Sequence, residues 1–267
     1  MGTLSYLFAV FISILSSIIF IVAILYSDRK SKEPGYMIAL ALLSGIFTIA
    51  VSLIVGQLIL PKLNFLNGES YNFIKVLIFA FVEETAKIIV LYFCIQRNSN
   101  FDDIYDGFVY SSLIALSFGA FESVLYVLNE TNLSSMINLA LIRGITTIPL
   151  HLICGTVMGY YVGTEKFTRK KSLRMFKLFN AILLPTIVHT IYNYGLTQIL
   201  SFFNTDLPFI ITLVIFFIPF YIVGITYINR TKMVNEKFIN NKYVIGLITK
   251  KEYDKIIEER YWFYYFI

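Results

Sequence analysis

The sequence predicts an all-α protein, a polytopic bundle of about seven transmembrane helices. Hydrophobic residues make up 57% of the 267-residue chain, charged residues make up only 15%, and the mean hydropathy is +0.72. A soluble domain of this size and composition would lack the polar side chains needed to cover its surface. Apolar runs of about 20 residues, the length of a helix that crosses a bilayer, recur along most of the chain.

Seven apolar runs are long enough to be membrane-spanning helices. No basic residue precedes the first run, and its apolar stretch is longer than that of a signal peptide, so we interpret it as a span. Phe and Tyr residues are abundant at the ends of the runs, where aromatic side chains anchor helices at the membrane surface. The predicted spans cover residues 4–26, 36–60, 73–96, 104–128, 137–163, 177–201 and 207–228.

The basic residues are distributed unevenly between the two sides of the predicted bundle. Of the 22 Lys and Arg residues, 18 lie in the loops after spans 1, 3 and 5 and in the tail after span 7. The opposite side holds only Lys62 and Lys75. By the positive-inside rule, the N-terminus is predicted to lie outside and the C-terminus in the cytoplasm. Orientation in a lipid bilayer thus explains the net charge of +5, and we expect no nucleic-acid partner.

We divide the chain into a membrane-embedded domain, residues 1–228, and a cytoplasmic tail, residues 229–267. In the tail, Thr249 precedes Glu252 by three positions, the spacing of a capping box that starts a helix. The tail is therefore predicted to contain a short amphipathic helix.

Ionisable side chains inside the predicted spans are the clearest functional signal. An ionised group at the centre of a bilayer costs at least about 2.5–3.5 kcal/mol, so such residues face the bundle interior and mark functional sites. Both histidines of the chain are among them. At a rise of about 1.5 Å per residue, the histidines and the carboxylates reach one layer near the bilayer midplane. The set consists of Glu83, Glu84, Lys87, Glu122, Arg143, His151 and His189.

Helical spacing predicts which of these side chains share a face. Glu83 and Lys87 are four residues apart with the glutamate first, the favourable order for an ion pair on a helix. Glu84 points about 100° away from Glu83 and need not share the lysine. One carboxylate can thus be neutralised while the other remains available as a base. His189 and Asn193 are also four residues apart and present one polar face.

These residue types are sufficient to catalyse the hydrolysis of a peptide bond. It requires an activated water, a base for its proton, and a group that stabilises the oxyanion. A glutamate in a low-dielectric site can act as the base. A zinc ion (Zn²⁺) held by Glu122, His151 and His189 would leave a fourth position for water. A metal-free version is also consistent with the sequence, with the histidines and Asn193 donating hydrogen bonds to the oxyanion.

Four motifs resemble those of the PrsW-type intramembrane proteases, a family related to the CAAX prenyl endopeptidase and Abi group. The motifs are EETAK at 83–87, FGAFE at 118–122, HLICG at 151–155 and HTIYN at 189–193, in the order of the family. Ser123 is a departure, since Asn often follows the third glutamate in the family. The resemblance implies a multi-pass peptidase of the bacterial cell membrane. Its implied substrate is a membrane protein, which for some members is a single-pass anti-sigma factor.

The candidate residues are expected to have two kinds of role. Lys87 is interpreted as a structural counter-ion, and Arg143 as a structural or substrate-orienting residue. The catalytic candidates are Glu83, Glu84, His189 and Asn193.

Two other classes of function remain open at this point. Chains of Glu and His also relay protons in ion-coupled transporters. Transporters commonly contain internal repeats with paired broken helices, and we find no repeat in this sequence. A third hypothesis is an inactive scaffold that binds single-pass helices, which would not require both histidines.

Overall fold

A computed structural model of the chain describes residues 3–28, 32–63, 68–202, 207–252 and 254. All regular elements in these residues are helical, which confirms the predicted fold class. A 3₁₀ turn, Leu60–Leu63, follows the second helix, and a π-helical turn, Leu91–Ile95, extends the third. The α-helices are α1 (Thr3–Ser27), α2 (Gly35–Ile59), α3 (Gly68–Val90), α4 (Tyr105–Leu128), α5 (Leu133–Ile145), α6 (Thr147–Lys166), α7 (Lys171–Phe202) and α8 (Leu207–Val244).

Within the described part of the chain, five helical segments are long and apolar enough to cross a membrane. They correspond to α1, α2, α4, the α5–α6 pair and the greater part of α7. α3 is not among them because it carries several charged residues, yet it packs against α2 and α7. The prediction of a membrane helix bundle is thus confirmed, while the count of seven spans and the outward N-terminus remain predictions.

The fifth predicted span, residues 137–163, is divided in the structure. Thr146 separates α5 from α6, with φ −118° and ψ −61°. Pro149 lacks an N–H, so the Ile145 carbonyl has no partner within the helix, and the Tyr221 hydroxyl donates to it at 3.4 Å. Ser16 Oγ donates a hydrogen bond to the Gly144 carbonyl at 2.7 Å. Side chains of α8 and α1 therefore satisfy the backbone where the span is broken.

A stripe of glycines on α6 brings this helix close to α4, and most residues of both helices are buried. Gly155, Gly159 and Gly163 recur at four-residue spacing. A Cβ at Gly155 would lie 2.9 Å from the Ser111 carbonyl oxygen, and one at Gly159 would collide with the Gly107 carbonyl. Small residues at this spacing allow close helix packing in membranes. The stripe consequently fixes the position of α6 and of the histidine one turn before Gly155.

α8 continues through the boundary predicted at residue 228. Thr231 and Asn235 lie on its continuation and are completely buried. Asn235 Oδ1 accepts hydrogen bonds from the backbone N–H groups of Ile104 and Tyr105, at 3.0 and 3.3 Å, where α4 begins. α8 beyond residue 228 therefore packs against the helix bundle through Thr231 and Asn235.

The predicted capping box is present after α8. Glu252 Oε2 accepts from both the backbone N–H and the hydroxyl of Thr249, each at 2.8 Å, and Glu252 N–H donates to Thr249 Oγ1 at 3.2 Å. These bonds hold the pKa of Glu252 below its ordinary value. The rest of the predicted amphipathic helix, residue 253 and residues 255–267, lies outside the described residues.

Candidate active site

The ionisable residues singled out in the sequence meet in one region of the bundle. Five helices contribute to it, and the two imidazole rings have centroids 5.2 Å apart in an edge-to-face arrangement. The break between α5 and α6 lies beside this region, so the last turn of α5 and the first turns of α6 both reach it. The group consists of Glu83, Glu84 and Lys87 of α3, Glu122 of α4, Arg143 of α5, His151 of α6 and His189 of α7.

Glu84 is completely buried and connects the lysine with one histidine. Its Oε1 atom accepts hydrogen bonds from Lys87 Nζ and from His189 Nδ1, each at 2.8 Å. The expected pairing of Lys87 with Glu83 is therefore wrong. Both Glu84 and Lys87 point into the protein interior, whereas Glu83 lines a cavity. Tertiary packing thus selects the three-residue spacing over the four-residue spacing.

The Lys87 ammonium is enclosed by groups that attract a cation. It lies 2.8 Å from Glu84 Oε1, 3.4 Å from His151 Nδ1 and 3.9 Å from the centroid of the Phe118 ring. An ammonium can only donate, so His151 Nδ1 is the acceptor and neutral His151 carries its proton on Nε2. Lys87 therefore sets the tautomer of His151 as well as the charge balance of Glu84.

Glu122 accepts a hydrogen bond from the protonated nitrogen of His151. Its Oε2 atom lies 3.1 Å from His151 Nε2 and 2.6 Å from an Nη atom of Arg143. Arg143 Nε also donates to Ser123 Oγ at 3.1 Å, and its guanidinium lies 4.2 Å from the Tyr126 ring. Ser123, the departure from the family pattern, therefore makes a hydrogen bond within the site. The arginine neutralises Glu122 and holds it in place.

A cavity of about 700 Å³ lies beside these groups. Its walls come from α2 to α7, and its apolar lining includes Val76 and Phe79 of α3. Glu84, Lys87 and His151 lie behind the wall and are not part of it. The site is thus divided into a buried supporting layer and a layer that a substrate can contact. The candidate residues that line the cavity are Glu83, Glu122, Arg143, His189 and Asn193.

Glu83 and His189 face each other in the wall of this cavity. Glu83 Oε2 lies 3.8 Å from His189 Nε2, too far for a hydrogen bond, and it has no hydrogen-bond partner among the described residues. His189 Nδ1 is occupied by Glu84. With its Nδ1 proton donated to Glu84, neutral His189 directs the lone pair of Nε2 toward Glu83. Polar atoms separated by more than a direct hydrogen bond are commonly bridged by a water molecule.

Three buried side chains have the donor atoms of a zinc site. One carboxylate oxygen of Glu84 and one ring nitrogen each of His151 and His189 lie within 4.8 Å of one another. The chemistry is the predicted pair of imidazoles with one carboxylate, but the carboxylate in this group belongs to Glu84. Glu122 contacts His151 from the other side and is paired with Arg143.

The donor set fits a metal ion on one condition. Glu84 Oε2 is buried and has no hydrogen-bond partner among the described residues, so it is free to act as a ligand. However, the Lys87 ammonium is bonded to Glu84 Oε1 and lies close to His151 Nδ1. A metal bound through Glu84 Oε1 or His151 Nδ1 therefore has to displace the ammonium.

Two structural contributors were not identified from the sequence. Tyr192 is buried on α7, where its hydroxyl lies 2.9 Å from Thr147 Oγ1 and 3.0 Å from Thr146 Oγ1. It therefore ties α7 to the break between α5 and α6. A tyrosine in the middle of a membrane span needs a polar partner, and this was the available signal. Lys75 was counted only as a loop residue, yet it lines the cavity.

Comparisons with known proteins identify the family to which the chain belongs. The family model described as "PrsW family intramembrane metalloprotease" matches residues 33–223, a range that contains all four motifs. Protease PrsW of Bacillus subtilis (strain 168) is 27% identical over 186 residues, which cover 70% of this chain and 81% of that protein. Protease PrsW of Oceanobacillus iheyensis is 30% identical over 192 residues, covering 71% and 83%. Protease PrsW of Clostridioides difficile (strain 630) is 30% identical over 169 residues, covering 62% and 70%.

No solved structure matches the chain. The family match spans well over half of the sequence and includes every helix that contributes to the site. The chain therefore belongs to the PrsW family of intramembrane metalloproteases, and it is a multi-pass membrane peptidase.

Proposed function

We propose that the chain hydrolyses a peptide bond of a membrane protein in the cavity, with Glu83 as the general base. The observation that carries this proposal is the unpartnered Glu83 Oε2 atom, which faces His189 Nε2 across 3.8 Å. Glu84 and Glu122 are each paired with a basic side chain, Lys87 and Arg143. Glu83 is thus the carboxylate of the site that remains available to accept a proton.

The geometry supports a direct attack by water. A water between Glu83 Oε2 and His189 Nε2 donates one proton to each acceptor, which directs its oxygen lone pairs toward a substrate in the cavity. The water oxygen bonds to the scissile carbonyl carbon while its proton passes to Glu83. Glu83 then gives this proton to the leaving nitrogen as the C–N bond breaks. Glu84 acts through His189, by holding its Nδ1 proton and its ring orientation.

Two cavity residues are placed to stabilise the oxyanion. Asn193 lies one helical turn beyond His189 and lines the same cavity, so its side-chain amide can donate to the carbonyl oxygen. Arg143 also lines the cavity, and it has N–H donors besides the two used by Glu122 and Ser123. Fixed donors of this kind lower the barrier because they need no reorganisation during the reaction.

A zinc ion would be held by Glu84, His151 and His189, the three residues whose donor atoms lie together. When bound, it would supply a Lewis acid that polarises water or a carbonyl group. The proton transfers assigned to Glu83 do not depend on it.

The substrate and the location follow from the family resemblance and from the membrane fold. We propose a single-pass membrane protein, such as an anti-sigma factor, as the substrate, and the bacterial cell membrane as the location. The family match, residues 33–223, falls inside the proposed protease domain, residues 1–228. The comparisons favour this function over an ion-coupled transporter.

A peptide library tests the proposal without a known substrate. Purified full-length protein in detergent micelles is incubated with quenched fluorescent peptides that vary at every position, and the cleaved bonds are identified by mass spectrometry. We expect the wild type to cleave peptides and the His189→Ala and Asn193→Ala variants to lose this activity. The comparison uses variants whose unfolding temperature equals that of the wild type, so that the loss is not due to unfolding. Glu236→Gln, an exposed change on α8, is the control that keeps activity. Absence of cleavage by the wild type would contradict the proposal.

A further inference from the structure

The cavity extends along the bundle from the reacting groups toward the start of α3. α3 and α7 run antiparallel beside it, because Phe73 contacts Tyr194 while Glu84 contacts His189. Lys75 lines the cavity eight residues before Glu83, which is about 12 Å along the helix at 1.5 Å per residue. Lys75 therefore marks the end of the cavity that is remote from the chemistry.

Two polar residues line the cavity at this same end. Asn129 follows Glu122 by seven positions on the way out of α4, and Thr197 follows His189 by eight positions on α7. Each displacement is about 10–12 Å in the direction of Lys75. The wall between the two ends is largely apolar and includes Val76, Phe79 and Leu196. The cavity thus has a reactive end, an apolar middle and a polar end that carries a cation.

Lys75 is a charged residue of this lining that has no counter-ion among the residues that the structure describes. Arg143, the other cation of the wall, is paired with Glu122 at 2.6 Å. Lys75 is half-buried and makes no hydrogen bond or ion pair with any residue that the structure describes. A cation beside apolar walls attracts an anion more strongly than one in open water, because the local dielectric is lower.

We propose that Lys75 forms a specificity subsite for an acidic side chain of the substrate; this rests on the proposed function. An extended peptide advances about 3.3 Å per residue, so 12 Å corresponds to three or four residues. The preferred substrate carries Asp or Glu three or four residues from the scissile bond, with apolar residues between them. Asn129 and Thr197 offer hydrogen bonds to the same carboxylate.

The peptide library tests this subsite through charge exchange. In the wild type, Asp or Glu at the third or fourth position from the scissile bond is expected to give about tenfold higher kcat/KM than Lys at that position. Lys75→Glu is expected to reverse the preference. Lys62→Glu is the matched control, because Lys62 is exposed, is predicted to lie on the same side, and does not line the cavity. It is expected to keep the wild-type preference.

Three results would overturn the subsite. The first is a wild-type library profile with no charge preference at these positions. The second is a Lys75→Glu variant that lowers kcat/KM by the same factor for acidic, neutral and basic peptides, as expected if Lys75 only contacts lipid headgroups. The third is an equal reversal by Lys62→Glu, which would indicate a general surface-charge effect. A wild type that cleaves no peptide would contradict the proposed function itself, and the subsite with it.

Discussion

Lys87 Nζ donates to Glu84 Oε1 at 2.8 Å, and the two side chains are respectively 1% and 0% exposed. The same carboxylate oxygen accepts from His189 Nδ1, and the same ammonium approaches His151 Nδ1. One buried ion pair thus orients both imidazoles of the site. This relationship explains how a glutamate that does not line the cavity can still control the histidine that does.

Removal of the ammonium should destabilise the protein. Lys87→Met leaves Glu84 buried without its cation, and the loss of one partner of a buried ion pair costs about 3–5 kcal/mol. We expect a lower unfolding temperature for Lys87→Met in detergent micelles. The double variant Lys87→Met/Glu84→Gln removes both charges and should recover a substantial part of this loss. Equal unfolding temperatures for the single and double variants would show that the pair is not coupled.

The same substitution should change metal binding. Lys87→Met removes the ammonium that contacts Glu84 and His151, two of the three residues that would hold a zinc ion. We expect tighter zinc binding in Lys87→Met than in the wild type, measured by elemental analysis after dialysis against buffered zinc. Adding His151→Ala to Lys87→Met should abolish the gain. Equal zinc affinity in the wild type and Lys87→Met would mean that the ammonium does not compete with the metal.

Gly119 should be essential for the placement of His151. A Cβ at this position would lie 2.5 Å from His151 Cδ2, so Gly119→Ala must displace the imidazole from its present position. A displacement of about 1 Å at an active site can lower the rate by about 10²-fold, and we expect a loss of at least about tenfold in kcat. Gly35→Ala is the matched control, since a Cβ there meets no atom within 4 Å. Wild-type kcat in Gly119→Ala would contradict this role.

Arg143 should be replaceable only in part. Its Nη atom binds Glu122 and its Nε atom binds Ser123, a planar arrangement that a lysine cannot reproduce. We expect Arg143→Met to lose more activity and more thermal stability than Arg143→Lys, because only Met leaves Glu122 without a cation. Steady-state kinetics and thermal unfolding in micelles measure both effects. Equal losses in the two variants would show that the charge of Arg143 does not matter.

The sequence predicted the helical fold and the residues that lie together at the site, but it did not predict which of these residues form ion pairs with each other. Charged residues within apolar spans must face the interior, and this requirement alone brings Glu83, Glu122, His151 and His189 together. The pairing of Lys87 depends on the orientation of α3 in the bundle. Helical geometry allows the lysine to reach either neighbouring glutamate, and the contact of Glu84 with His189 decides between them.

The missed features depend on contacts between distant parts of the chain. Pro149 lies in the fifth predicted span, but the backbone at the break beside Thr146 is satisfied by Ser16 and Tyr221, which no local sequence pattern connects to it. The cavity likewise requires walls from six helices, so its extent toward Lys75 is not visible in any single span.

In the proposed mechanism, Glu83 is the base and acts on a water held opposite His189. Its most direct test is the single-turnover rate of Glu83→Gln, a change that keeps the shape of the side chain and removes its basicity. General acid–base catalysis contributes about 10²–10⁴-fold, so we predict a rate loss of that size with an unchanged unfolding temperature. A folded Glu83→Gln variant that cleaves peptides within about threefold of the wild-type rate, far inside that 10²–10⁴-fold range, would contradict the mechanism.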